Sequence, residues 1–296
     1  MRHRSLVALS LGCVLLACGE AWSQSDTSEF EALFARAALW QVGSNTADVE
    51  EARKQLAAEG EPAVRWLLAS KLTVSTTLEQ RAFDDLLAKR RDIAGPLVLE
   101  AMPRATTAQA RVNLARAAKL LAVRDAAMVI ATWLDRDDAD PELTRKVFAT
   151  ALEALATLDP ESLLTRAPAA LAHRDPWVRV AACAALGNTA SERAATPLLS
   201  MAGGNDRAIV RGAAANALIA LGKPAIPAIR EALALCARPT ADLVACGFVL
   251  RAAVGLQATF NDPGTKRMLD KVAALGPADL SAFTVALLDL GDDLSP

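Results

Sequence analysis

The 296-residue chain contains no tyrosine, and only 4 % of its residues are aromatic. So few rings argue against one deep nucleus of the kind that a compact globule fills with aromatic and β-branched side chains. Histidine is nearly as scarce, with His3 and His173 the whole supply. That scarcity excludes a zinc centre built on several histidines. It also leaves little with which to activate a nucleophile. The sequence has no G-x-S-x-G elbow, P-loop or dinucleotide fingerprint. Surplus positive charge is missing as well: 32 basic residues stand against 34 acidic ones. A nucleic-acid binder needs a basic face to displace phosphate counterions, so this balance argues against one. No polybasic run suits an anionic membrane.

What the chain has is alanine and leucine, within a content that is 53 % hydrophobic. That is the composition of closely packed helices.

The N-terminus reads as an address. Arg2 and Arg4 precede an apolar run from Leu6 to Ala17, of signal-peptide length and too short to span a bilayer. Two processing readings are open. Leu15-Leu16-Ala17-Cys18 resembles a lipobox, which makes residues 1–17 the signal and Cys18 the lipidated mature N-terminus. Ala21-Trp22-Ser23 offers an ordinary cleavage site, which makes residues 1–23 the signal and Gln24 the first mature residue. Both readings imply an exported protein of the periplasm or cell envelope. A membrane then enters only through the lipid anchor. Residues 26–296 remain for the folded domain.

Within that domain a motif returns. Val178-Arg179-Val180-Ala181-Ala182-Cys183-Ala184-Ala185-Leu186 and Val210-Arg211-Gly212-Ala213-Ala214-Ala215-Asn216-Ala217-Leu218 lie 32 residues apart and share six of nine residues. Apolar residues at i, i+3, i+4, i+7 and i+8 define one face of a helix. Equivalent frames begin at residues 49, 79, 110, 147 and 242. Spacing is close to 31 throughout except for one step of 37, from 110 to 147. Seven such frames predict an array rather than a globule.

A second helix is expected in each interval, among them Pro62–Ser70, Ile93–Met102, Ala126–Leu134, Leu163–Ala172, Ala195–Ala202 and Pro224–Leu235. Prolines 62, 96, 168, 197, 224 and 227 suit first helical turns, where no backbone N–H is required. Asp140-Pro141 and Asp175-Pro176 read as N-cap and first helical residue, and Gly187 and Gly222 as helix ends. Helices of about 12 residues are too short to persist alone in water, so stacking must hold them. Thr27–Trp40 and Pro277–Leu290 read as capping helices for the two ends.

The pattern Asp175…Val178-Arg179…Ala181-Ala182…Ala185-Leu186-Gly187, followed by Ala195…Leu198-Leu199, resembles the HEAT-like repeat, including the variant named after phycobilisome lyases. Leu221-Gly222-Lys223-Pro224-Ala225-Ile226 is similar to that family's link between helices. The resemblance implies an all-α fold, an α-solenoid of about seven helix pairs with capping helices at both ends. It also implies a ladder in which arginines bond aspartates of adjacent turns, drawn from Asp175, Arg179, Asp206 and Arg211, with Arg145 and Arg111 in equivalent places.

Residues capable of chemistry are few. His173 reads as a helix-end residue favoured by the helix dipole. Asp135-Arg136-Asp137-Asp138-Ala139-Asp140 is an acidic run in the long repeat; lacking the glycine of a calcium loop, it reads as a solvated connection. Cys183 lies among packed alanines, whereas Cys236 and Cys246 are candidates for a disulfide in an oxidising compartment, with two free thiols as the open alternative. Trp40, Trp66, Trp133 and Trp177 read as core or inter-repeat packing. Neither a cofactor, a metal nor a catalytic set is expected. The expected function is therefore a non-enzymatic scaffold for an unidentified protein partner, with Arg65, Glu100, Arg136, Arg166 and Arg230 as candidates for its binding face. The resemblance leaves two alternatives, an accessory subunit or enzyme of the bilin-lyase type and, less in keeping with the acidic balance, a nucleic-acid binder.

Overall fold

The computed structural model describes residues 24–41, 43, 45–236 and 243–274. Among these residues all regular structure is helical. A leading helix, α1 (Gln24–Ala37), precedes seven helix pairs. They are α2 (Asn45–Ala58) with α3 (Glu61–Ser70), α4 (Thr77–Lys89) with α5 (Arg91–Ala101), and α6 (Ala108–Leu121) with α7 (Ala126–Thr132). Next come α8 (Pro141–Leu158) with α9 (Pro160–Leu171), and α10 (Pro176–Gly187) with α11 (Ala195–Gly203). The last are α12 (Ala208–Leu221) with α13 (Ile226–Cys236), and α14 (Leu243–Phe260) with α15 (Pro263–Ala273).

First helices pack on first helices, α6 on α8, α8 on α10, α10 on α12 and α12 on α14. Second helices pack on second helices, as in α3 on α5, α7 on α9 and α13 on α15. The chain is an α-solenoid, with its apolar core running along the stack between the two layers. The expected terminal helix Pro277–Leu290 and the export segment, Cys18 included, lie outside the described residues.

The repeat frame maps onto burial. Val178, Ala182, Ala185 and Leu186 are buried, as are Val210, Ala214, Ala217 and Leu218. Cys183 and Ala215 are off the expected stripe yet fully buried. An interior repeat has a neighbour on each side, which widens the covered arc of its helices.

Four Asp-Pro steps start helices. Asp140, Asp159, Asp175 and Asp262 accept the backbone N–H groups of Glu142, Ser162, Trp177 and Thr265 respectively. Each fills one of the donors that a helix start leaves open. Two other prolines depart from expectation: Pro96 and Pro168 sit inside α5 and α9, not in their first turns. Each forgoes one backbone bond. Burial of Ala94, Leu97 and Val98 in α5, and of Ala167, Ala170 and Leu171 in α9, offsets that loss.

The two glycines divide in role. Gly222 ends α12 at φ 74°, a conformation open to glycine at little steric cost. Gly187 is instead the last residue of α10, and a Cβ there would lie 2.8 Å from the Ala217 carbonyl oxygen. Its task is close approach between α10 and α12. The tryptophans divide likewise. Trp66 and Trp133 are buried as expected, but Trp40 is 64 % and Trp177 49 % exposed. Trp40 follows the end of α1 and Trp177 occupies the first turn of α10, positions that no neighbouring helix covers.

Candidate functional site

Arginines near the starts of three first helices reach forward to the next repeat. Arg111 meets Asp138 at 2.7 Å, Arg145 meets Asp175 at 2.7 Å, and Arg179 grips Asp206 through two bonds of 2.8 and 2.6 Å. Asp175 thus pairs backwards with Arg145 while capping α10, and it does not pair with Arg179. Burial alone pushes Asp175 and Asp206 up. The bonds from Arg145 and Arg179, helped by backbone N–H groups of Trp177 and Arg207, outweigh it and hold both carboxyls below their ordinary range. Arg211 stands at the equivalent place in α12. It donates to the Ala202 carbonyl at the end of α11 and lies 4.4 Å from the Phe248 ring centre.

The long repeat breaks the regularity of the stack. After α7 the chain makes a 3₁₀ turn, Trp133–Asp135, and loops out before Asp140 caps α8. A cleft of about 600 Å³ lies between this loop and the C-terminal half of α9. Its apolar wall is Phe148, Leu134, Ala169 and Ala170. Its polar wall is Asp135, Arg136, Asp137, Arg166, His173 and Arg174.

The acidic run is exposed at Asp135, Asp137 and Asp140, as a solvated connection is, and it is also bonded. Each carboxylate has a structural partner: Asp135 holds Arg166, Asp137 holds His173 and Arg174, Asp138 holds Arg111, and Asp140 caps α8. Spacing alone did not reveal the partners of Asp135, Asp137 and Asp138, because they lie 27 to 37 residues away in sequence.

His173 sits at the centre of that arrangement, just beyond α9. Its Nδ1 accepts the Asp175 backbone N–H at 3.1 Å, so the ring proton resides on Nε2 and is donated to Asp137 Oδ1 at 3.0 Å. Phe148 packs on the imidazole, with ring centres 5.1 Å apart. The ring brackets two loops, the one that follows α7 and the one that enters α10. The bond from His173 is the strongest influence on Asp137. With Arg174 it keeps that carboxyl low against the opposing effect of burial.

Most charged residues expected on a binding face turn out to be struts. Arg65 bonds Glu61 of its own helix and Glu100 of α5, Arg166 bonds Asp135, and Arg230 bonds Asp262 at the start of α15. Arg136 is the exception. It is exposed and makes no ion pair among the described residues.

Cys236 closes α13 and is joined by a disulfide to Cys246 of α14, with Cα atoms 5.6 Å apart. Cys183 is a free, buried thiol. The disulfide borders a second, more apolar groove of about 490 Å³, walled by Leu199, Ala232, Leu235 and Val249.

Comparison with known proteins fits this architecture. The HEAT-repeat family model matches residues 138–219 and 165–242. No curated protein matches the sequence. Among solved structures, the chain resembles the CpcE–CpcF complex of phycocyanin lyase from a Nostoc species, with 20 % identity and a TM-score of 0.40, covering 83 % of this chain and 94 % of that one. It also resembles human deoxyhypusine hydroxylase solved with glycerol, with 14 % identity and a TM-score of 0.25, covering 85 % and 98 %. The expectation that the chain is not an enzyme is corrected by the first of these, since the likeness is to a lyase. The exclusion of catalysis is withdrawn. The chain is similar to the HEAT-repeat family across residues 138–242.

Proposed function

We propose that the chain is a protein-binding scaffold exported to the cell envelope, with its second-helix layer as the binding face. One observation carries the reading. Beside α9 that layer opens into a cleft lined by Arg136, an exposed guanidinium with no ion pair among the described residues. Elsewhere on the layer Arg65 and Arg230 are tied to neighbouring repeats, which stiffens the face without leaving their charge for a partner. Rigid stacked helices are a ready-made surface for a protein ligand, because little conformational entropy is lost on binding. The near balance of charge along the chain favours a protein over a nucleic acid. The apolar run behind Arg2 and Arg4 and the Cys236–Cys246 bond both suit an exported protein.

Two measurements test this. Cell fractionation with mass spectrometry of the mature N-terminus should find the chain in the envelope, beginning at Cys18 or Gln24. Mild crosslinking there should capture a defined protein. An intact Met1 in the cytosolic fraction overturns the envelope assignment, and capture of no protein overturns the scaffold.

A further inference from the structure

We propose that the cleft between α9 and the loop that follows α7 binds a carboxylate, the side chain of an acidic residue in a peptide segment that carries an apolar residue beside it. This deepens the scaffold reading and rests on its choice of face.

The inventory of donors and acceptors leads to it. Three guanidiniums, Arg136, Arg166 and Arg174, face two carboxylates, Asp135 and Asp137. Asp137 is engaged on both oxygens, Oδ1 with His173 and Oδ2 with Arg174 at 2.7 Å. His173 has no acceptor to offer, because its Nδ1 already receives the Asp175 N–H and its Nε2 carries the proton. Donors are in surplus. A guanidinium has five N–H groups, yet Arg166 and Arg174 each give one to a carboxylate here and Arg136 gives none.

A cleft rich in unspent donors and short of acceptors selects a ligand that brings acceptors and negative charge. A carboxylate meets an arginine fork through two parallel bonds. Arg174 has 82 % of its side chain exposed and can swing without breaking the core, while Arg166 is fixed on α9. The opposite wall, Phe148 with Leu134, Ala169 and Ala170, cannot bond an anion and suits an apolar neighbour. The volume of about 600 Å³ falls within the usual range for ligand clefts. The same volume suits a few peptide residues rather than a folded surface.

The probe is the tripeptide acetyl-Leu-Glu-Leu-amide, titrated into the full chain by NMR or calorimetry and compared with acetyl-Leu-Gln-Leu-amide. The glutamate peptide should bind at least tenfold more tightly, and its affinity should fall as salt is raised. Arg136→Gln should weaken it about tenfold while leaving the melting temperature unchanged, since Arg136 makes no ion pair in the fold. Arg193→Gln removes a charge that pairs with Glu161 away from the cleft, and it should leave binding unaltered. Equal affinity for the two peptides, or an Arg136→Gln variant that binds as wild type does, overturns the proposal. Crosslinking capture with wild type and Arg136→Gln separates the two readings. A partner caught equally by both sinks the cleft and keeps the scaffold. A partner caught by neither sinks the scaffold, and the peptide titration still decides the chemistry of the cleft.

Discussion

Arg179 and Asp206 meet through two parallel bonds, 2.8 Å from Nε and 2.6 Å from Nη2, although 27 residues separate them in sequence. The same guanidinium donates from Nη1 to the His173 carbonyl at 2.7 Å. One side chain therefore ties the first turn of α10 to the chain leaving α9 and to the loop entering α12. Its neighbours do part of the same task, Arg145 on Asp175 and Arg111 on Asp138.

Arg179→Ala should lower stability by about 1.5–3 kcal/mol, because it leaves Asp206 and the His173 carbonyl without their donor. Both members of the pair are less than one-fifth exposed, so solvent screening does not erase the effect. Chemical denaturation of Arg179→Ala, Asp206→Ala and the double variant gives the coupling. If the two single losses simply add, the fork contributes nothing as a pair.

Acid should weaken the stack through the same carboxylates. Asp137, Asp175 and Asp206 are held below their ordinary range by their partners. A carboxyl with a folded pKa below its unfolded value, about 3.9, contributes stability that is complete above that value. The contribution is lost as pH falls through the folded pKa. Asp84 works in the opposite sense, because burial outweighs the Arg116 pair and raises it. Denaturation midpoints should hold steady from pH 7 to about 5 and fall steeply below about 4. Arg179→Ala should flatten that acid limb, since Asp206 then loses the bonds from Arg179 that hold it low against burial. An acid limb of unchanged slope in the variant argues that Asp206 is not the group being protonated.

The helix pairs were legible in the sequence because the 3.6-residue period and the 32-residue offset are both local. Val178 and Leu186 declare their face within one helix. The partners of the arginines were legible only through a family pattern, and the structure supplies the pairing: Asp175 belongs to Arg145, and Arg179 to Asp206. The cleft was not legible. The run from Asp135 to Asp140 looks the same whether it is solvated or bonded, and only the folded stack brings Arg166, His173 and Arg174 to it. Length was the available signal, since the 37-residue step marks the irregular repeat. Exposure of Trp177 was hidden for a similar reason. Helical period places a residue on a face, but the neighbour that covers that face is set by the superhelix.

Gly187→Ala should destabilise by about 1–3 kcal/mol, the usual range for forcing a methyl group into a filled contact. The added carbon would stand 2.8 Å from the Ala217 carbonyl oxygen and 2.9 Å from the Ala217 Cα, both backbone atoms that cannot step aside. Gly203→Ala is the control, since nothing lies within 4 Å of a Cβ there. The control should be neutral or slightly stabilising, as alanine is the better helix former. Thermal melts of the two variants separate packing from propensity. Equal losses in both would mean that α10 and α12 are not in the contact described.

Cys183 should be inert in the native protein. It is fully buried, and burial together with the nearby Asp206 charge pushes its thiol up to about 12. The reactive species is the thiolate, so two barriers act together at pH 8: almost none is ionised, and no reagent reaches the sulfur. Maleimide labelling followed by peptide mapping should find Cys183 unmodified before unfolding and modified after it. Cys236 and Cys246 should resist labelling in both states until a reductant is added, because their sulfurs are spent on each other. Labelling of Cys183 in the folded chain at the rate of a free thiol would require α10 to leave its neighbours. The repeat would then open locally far more easily than its burial between α8 and α12 allows.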